Sequence, residues 1–204
     1  MQCDPLSDMD QSDDIPKLTH RRLPWELHRA LTAERLEVCA RLLVRGRAEA
    51  FRLADPWAGD DAWSIGCRAY SFSRNQLRRA AAAGRYNWLG VLDETHHFVF
   101  LVEGVPVRFF RGDAAEPSKR ALRQQENEAQ QLAMALGGED TAEGLMFRLA
   151  LETDDAGAVH RVVFLALRGE EGKVQCFWPV PLEQDVSTPV QGQLATARKV
   201  PRRG

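Results

Sequence analysis

The chain has 204 residues, of which 44% are hydrophobic and 27% are charged, and its formal net charge is −2. This length supports a domain with a real core, the composition argues against disorder over most of the chain, and the charge excludes a general polyanion binder. No apolar run approaches the ~20 residues that a membrane span requires. Because no secretory signal is visible, we expect the scattered cysteines to be thiols in a reducing cytoplasm.

The two ends of the chain carry opposite charges. Residues 4–14 contain five aspartates and no basic residue, whereas the basic residues Arg198, Lys199, Arg202 and Arg203 stand close to the end of the chain. Segments of this kind are typically solvated. We therefore expect a disordered acidic arm at 1–16, one α+β domain at 17–182 and a flexible basic tail at 183–204.

The first part of that domain, 17–55, is expected to be a helix or a helix pair. Helical periodicity runs from about Pro24 to Leu53, and Gly46 is the point where the helix would divide. The apolar residues form two stripes, which indicates a helix packed on two neighbours or against a partner chain. The stripe that we take as the candidate partner face consists of Leu27, Leu31, Val38 and Leu42.

A second helix is predicted to begin at Ser73, after a loop at 54–66 that contains Trp57 and Trp63. Ser73 followed by Gln76 fits a capping box, and Gly84 suits the position just past the end of a helix. This helix would open the first of two similar units.

Short strands follow in two groups of three. The apolar patterns predict strands at 88–92, 97–103 and 105–111, a helix at 117–136, and further strands at 145–152, 159–167 and 174–178. Pro106 cannot donate to a ladder, so 105–111 is expected to be an edge strand or to carry a bulge. We predict two α-β-β-β units, 63–136 with its following helix and 142–182, joined edge to edge in an antiparallel sheet of about six strands with both helices on one face.

Basic residues cluster where the third strand gives way to the predicted helix at 117–136. A helix N-terminus attracts anions through its free N–H groups and its dipole, and cations on its first two turns would strengthen that attraction. The cluster, which we take as a candidate site for an anion or a nucleic acid, consists of Arg108, Arg111, Lys119, Arg120 and Arg123. The alternative reading is a solvated helix face.

Other reactive residues do not form a recognisable catalytic set. His96 and His97 are adjacent, so on a strand they would point to opposite faces and be poorly placed to share a metal ion, while at the turn before the strand they would be two surface histidines. Glu103 lacks the nearby lysine that a metal-dependent nuclease uses, and Cys67 has no identifiable base. We expect no cofactor, no metal site and no catalytic residue.

Two resemblances add to these patterns. The order of helix, three strands and helix over 73–136, with Ser118, Lys119, Arg120 and Ala121 at the start of the last helix, resembles a double-stranded-RNA-binding domain, in which such a motif contacts phosphates. The run VPVRFFRGD at 105–113, with GCRAY at 66–70, is similar to an uncharacterised bacterial family associated with phage-derived regions. That resemblance implies a role in mobile-element or stress regulation.

The sequence therefore leaves three functions open. The first is a non-enzymatic bacterial regulatory or protein-interaction protein, such as a component of a toxin–antitoxin or prophage control module, with a protein partner or a homo-oligomer. The second is a nucleic-acid-binding protein that uses the five basic residues. The third is a metal-dependent nuclease or hydrolase.

Overall fold

Five α-helices and six β-strands make up residues 22–182, the part of the chain that the computed structural model describes. The helices are α1 (Pro24–Leu27), α2 (Ala33–Arg52), α3 (Ala62–Ala82), α4 (Glu126–Leu136) and α5 (Glu139–Ala142). The strands are β1 (Leu89–Asp93), β2 (Val99–Val102), β3 (Val105–Arg111), β4 (Leu145–Thr153), β5 (Val159–Arg168) and β6 (Lys173–Pro179). The predicted arm at 1–16 and the predicted tail at 183–204 lie outside the described residues.

All six strands form one sheet in the order β1-β2-β3-β4-β5-β6, so the α+β class and the six-stranded sheet are confirmed. The prediction of a purely antiparallel sheet is wrong, because β3 and β4 pair in parallel, with Arg108 opposite Arg148. Each group of three strands is an antiparallel meander. A parallel neighbour requires a long crossover connection, and residues 112–144 supply it.

Pro106 marks neither the edge strand nor the bulge that we predicted, since β3 lies in the middle of the sheet and its pairing with β2 shows no register shift. On one side of β3, Pro106 stands opposite Leu101 of β2. On the other side the ladder with β4 begins only at Arg108. The proline therefore precedes the part of β3 that bonds to β4, and its missing N–H costs that ladder no hydrogen bond.

Helices α3 and α4 contact different sides of β3, although Leu132 of α4 also belongs to the larger core on the α3 side. Neighbouring residues of a strand point to opposite sides. The Phe109 ring stacks on Tyr70 of α3, with ring centroids 5.1 Å apart, whereas the adjacent Arg108 side chain reaches Glu128 of α4 at 3.7 Å. The larger core lies on the α3 side, and a smaller apolar cluster around Met146, Val163, Leu165 and Leu167 lies on the other.

Two predicted helix boundaries are also wrong. The N-terminal helical part is a pair, but the break falls between α1 and α2, where the Thr32 hydroxyl accepts the Arg35 N–H, and not at Gly46. Helix α3 begins at Ala62, well before Ser73. The Ser73 hydroxyl, which we had read as a cap, is buried inside α3 and donates to the Leu43 carbonyl of α2 at 2.8 Å.

Gly46 instead allows α2 and α3 to approach closely. A Cβ atom built on Gly46 would lie 2.5 Å from the Ser73 Cα atom, which is backbone and cannot rotate away. Gly66, inside α3, has nothing within 4 Å of its position for a Cβ atom. An added Cβ atom at Gly46 would therefore clash with the backbone of α3, whereas one at Gly66 would meet no neighbouring atom.

We expect Gly46→Ala to destabilise the protein by about 1–3 kcal/mol, because overpacking against backbone outweighs the gain of about 1 kcal/mol in helix propensity. Gly66→Ala is the matched control and should leave stability unchanged or raise it by up to about 1 kcal/mol. Urea unfolding of the two variants measures both. Equal effects of the two substitutions would contradict the close contact between α2 and α3.

Candidate functional site

The five predicted basic residues do not form a site at a helix N-terminus. Helix α4 begins at Glu126, not near Pro117, so Lys119, Arg120 and Arg123 lie in the turns that precede it. The first turn of α4 carries Glu126 and Glu128 instead of cations. The predicted anion site required a helix N-terminus beside Lys119 and Arg120, and the structure has no helix there. The motif that resembles a double-stranded-RNA-binding domain also lies outside a helix.

Arg108 belongs to a buried network instead of an open surface. Its guanidinium donates to the Arg123 carbonyl at 2.7 Å and lies 3.7 Å from the Glu128 carboxylate. Glu128 also pairs with Arg148, and both of these side chains are only 1% exposed. Arg108 and Arg148 thus share one carboxylate beneath α4.

Arg148 holds the crossover connection onto the sheet. Its Nε atom donates to the Ala121 carbonyl at 2.8 Å, and its Nη2 atom donates to the Arg123 carbonyl at 3.4 Å. Burial lowers the pKa of Arg148 and the nearby Glu128 opposes that effect, but an arginine stays charged in a folded protein. A buried charge needs an opposite charge and hydrogen-bond acceptors close to it. Arg148 therefore fixes the positions of Glu128 and of the Ala121 and Arg123 carbonyls.

We expect Glu128→Gln to destabilise the protein by about 3–5 kcal/mol, because it leaves Arg148 buried without an opposite charge. The double variant with Arg148→Met should lose less than the sum of the two single losses, since the two side chains act as a unit. Chemical unfolding supplies the three free energies. Glu37→Gln, which removes the exposed α2 pair with Arg41, is the control and should cost less than about 1 kcal/mol.

Glu152 holds the other end of the same connection. Its carboxylate accepts the Ala114 N–H at 3.0 Å and pairs with Arg161. Burial raises the pKa of Glu152, but the hydrogen bonds from Arg161 and Ala114 and the charges of Arg161 and His160 outweigh it, so the pKa lies below its ordinary value of 4.5. The charged carboxylate therefore stabilises the folded state.

A carboxyl with a depressed pKa stabilises the fold above its unfolded pKa and loses that contribution as pH falls through the folded value. We therefore expect the stability difference between the wild-type protein and Glu152→Gln to be constant near neutral pH and to shrink below about pH 4.5. Urea unfolding across an acidic pH series measures it. A difference that does not change with pH would mean that the Glu152 charge does not contribute.

Arg111 lies apart from Arg108, on the α3 side of the sheet. It is close enough to Arg47 of α2 to lower the pKa of that buried guanidinium, together with the larger effect of burial, while Asp154 opposes both. Arg47 itself donates from Nε to the Gly157 carbonyl at 2.8 Å, in the turn between β4 and β5. The structure therefore separates Arg111 from the rest of the predicted cluster.

Arg108 and Arg120 both affect the same two side chains, Tyr70 and His97, near the turn between β1 and β2. Burial raises the pKa of Tyr70 there, and Arg108, Arg74 and Arg120 oppose that rise. Burial lowers the pKa of His97 in the same place, and His96, Arg108 and Arg120 lower it further. Two of the five predicted basic residues therefore act on the same pair of titratable groups.

The other residues considered from the sequence have structural surroundings. The His96 and His97 rings lie together in a turn, with centroids 3.9 Å apart, and do not point to opposite faces. Glu103 pairs with Arg35, and Cys67 is an exposed free thiol. Across residues 22–182, no group of three or more His, Cys, Asp or Glu side chains is placed to hold a metal ion.

The predicted partner face packs inside the chain. Leu31 is 0% exposed and Val38 is buried, while Leu27 and Leu42 are partly buried against the main core. Packing on neighbours within the chain, the first of the two alternatives, accounts for this stripe. A partner surface has to be sought elsewhere.

The most exposed aromatic side chains lie on the connection between α2 and α3 and on the first turn of α3, residues 53–63, which we call the Trp loop. Trp57 is 99% exposed and Trp63 is 77% exposed, and Leu53, which follows the end of α2, is also exposed. Large exposed apolar side chains are candidates for interaction sites, and tryptophan is among the residue types enriched at the energetic centres of protein–protein interfaces. The sequence analysis placed both tryptophans in a loop at 54–66 and assigned them no role, and for Trp63 this placement is wrong, because it lies in the first turn of α3.

Local hydrogen bonds order the Trp loop. The Asp55 carboxylate accepts the Trp57 and Ala58 N–H groups at 3.0 and 3.3 Å, and the Asp61 carboxylate caps α3 by accepting the Ser64 N–H at 2.8 Å. Gly59, at φ 96°, adopts the left-handed turn that the loop requires. These hydrogen bonds fix the backbone around Trp57 and Trp63 without using the indole side chains.

Asp60 and Arg68 tie the Trp loop to α3. The Asp60 carboxylate accepts the Asp55 N–H at 2.9 Å and pairs with Arg68 at 2.7 Å, and Arg68 also donates to the Leu53 carbonyl at 3.0 Å. The Asp55 N–H and the Arg68 guanidinium hold the pKa of Asp60 below its ordinary value. The loop is thus closed by an ion pair at its base.

Comparison with known proteins adds no relative: no family model, no curated protein and no solved structure matches the chain. Within residues 22–182, none of the helices combines the length and the apolar character that crossing a bilayer demands. The two resemblances drawn from the sequence stay predictions.

Proposed function

We propose that this protein is an interaction module that binds another protein through the Trp loop. The observation that carries the proposal is the near-complete exposure of Trp57 and Trp63 on a loop whose backbone is already ordered. A surface that is ordered before binding avoids part of the entropy loss that association imposes.

The size of the exposed groups fits this role. One aromatic side chain buries 150–250 Å² in an interface, which corresponds to roughly 4–6 kcal/mol at about 25 cal/mol per Å². Two tryptophans therefore supply about 10 kcal/mol before the costs of association, which are on the order of 4–15 kcal/mol. Because the two quantities are similar, loss of either indole should remove most of the affinity.

The charges of the Trp loop favour a protein over a nucleic acid as the partner. Residues 53–63 contain Asp55, Asp60 and Asp61 and no basic residue. Bases stack on exposed tryptophans in single-strand binders, but those proteins surround the rings with positive charge. The nucleic-acid hypothesis accordingly rests on the exposed cations Lys119, Arg120 and Arg123 and not on the tryptophans.

We expect Trp57→Ala and Trp63→Ala each to weaken binding at least tenfold while leaving the unfolding free energy nearly unchanged, because both side chains are exposed. Quantitative mass spectrometry of proteins retained by the wild-type chain but not by the double variant identifies the partner. Isothermal titration with that purified partner then gives the affinities.

Trp25→Ala is the matched control, because Trp25 lies outside the Trp loop and packs edge-on against Trp178, with ring centroids 5.6 Å apart. It should reduce stability and keep the affinity. A partner whose affinity is unchanged by both Trp-loop substitutions would contradict the proposal, as would a retained ligand that proves to be nucleic acid.

A further inference from the structure

A second surface feature of the chain has the chemistry to receive a tryptophan. A cleft of about 280 Å³ lies between the link that follows α1, the turn between β2 and β3, and α4. Arg29, Glu103, Gln131, Met134 and Ala135 are among the residues that line it. Its volume is at the small end of the range for ligand pockets, which suits one aromatic side chain better than a larger ligand.

The walls of this cleft are fixed before anything binds. Glu103 adopts φ 49°, in the left-handed region, and its carboxylate pairs with Arg35. The Gln131 side chain donates from Nε2 to the Gly104 carbonyl at 2.8 Å, which joins α4 to the same turn. The turn between β2 and β3 and helix α4, which form two walls of the cleft, are therefore held by contacts within the chain.

Met134 gives the cleft an apolar wall that is open to solvent. Its side chain is 70% exposed, although α4 packs its opposite side into the core through Leu132. A methionine thioether makes favourable contacts with aromatic rings and adapts its shape to them. An exposed methionine beside a cavity of this size is complementary to an exposed indole.

Charge complementarity links the cleft to the Trp loop in particular. Arg29 is exposed at the cleft, and none of the ion pairs found within residues 22–182 involves it. Of the three aspartates in the Trp loop, Asp60 already pairs with Arg68, whereas Asp55 and Asp61 are exposed and take part in none of these ion pairs. A tryptophan that enters the cleft would bring these carboxylates towards the unpaired arginine.

The Trp loop and the cleft of one chain cannot meet. The cleft lies before the start of α2 and the Trp loop follows its end, and a helix of 20 residues is about 30 Å long. A contact between a Trp loop and a cleft therefore has to join two different molecules. When two unlike surfaces of one chain are complementary, the contact is head-to-tail and the assembly grows with concentration unless a ring closes.

We propose that the occupant of this cleft is Trp57 of a second copy of the chain. This inference rests on the proposed function, since it names the partner of the Trp loop. It makes the protein a self-assembling module in which each copy presents one Trp loop and one cleft.

The experiment is a complementation test with two variants of the full chain, measured by light scattering after size exclusion. Trp57→Ala keeps the cleft, and Met134→Glu keeps the Trp loop but places a negative charge where the acidic loop would dock. We expect the wild-type protein to assemble as its concentration rises, and each variant alone to be monomeric with affinity reduced at least tenfold. The two variants mixed should form a one-to-one dimer.

Met134→Leu is the control for the cleft and should assemble like the wild-type protein, because it keeps an apolar wall. Circular dichroism confirms that each variant is folded. A wild-type protein that is monomeric at every concentration, or a mixture that stays monomeric, would overturn the inference. If self-assembly fails but a different protein is bound through Trp57 and Trp63, the proposed function stands and only the self-assembly inference is wrong. If no protein is bound, the proposed function and the self-assembly inference are both wrong.

Discussion

The need to satisfy one buried guanidinium, that of Arg148, determines how the two meanders are joined. A charge in the middle of a sheet face has to find an opposite charge and acceptors, because its transfer from water is otherwise too costly. Glu128 and the carbonyls of Ala121 and Arg123 supply them. They draw the crossover connection across the sheet, and the covered face beneath it allows β3 and β4 to pair in parallel.

The opposite face depends on packing instead of charge. Gly46 and Ser73 let α2 and α3 lie in backbone contact, and the larger core fills the space between this pair of helices and the sheet. Because both ends of the Trp loop belong to these closely packed helices, the loop begins and ends at fixed positions. Its internal hydrogen bonds use backbone N–H groups and aspartate carboxylates, so the two indole rings stay exposed and able to bind a partner. In this way the packing of the core leads directly to the proposed binding surface.

Local patterns predicted the strands well because alternation and turn residues are recorded within a few positions of the chain. The strand at 105–111 was predicted with the bounds that β3 has. The parallel pairing of β3 with β4 was not predictable, since nothing near Arg148 in the sequence indicates that its partner is Glu128, 20 residues earlier in α4. Ser73 was misread because a serine followed by glutamine three residues later fits a cap, while its hydroxyl bonds to a carbonyl of another helix. The position of Trp57 in a loop was predicted, whereas Trp63 was predicted in a loop and lies in α3, and the exposure of both rings depends on which surfaces the fold leaves uncovered.

The central claim is that the Trp loop is ordered and displays its indoles before any partner arrives. The most direct measurement is the ¹⁵N order parameter of the Trp57 and Ala58 backbone amides in the free protein, since both amides bond to the Asp55 carboxylate. Values near 0.85, similar to those of α2, are the predicted result for a rigid backbone. Values below about 0.6 would show a flexible loop and contradict the account.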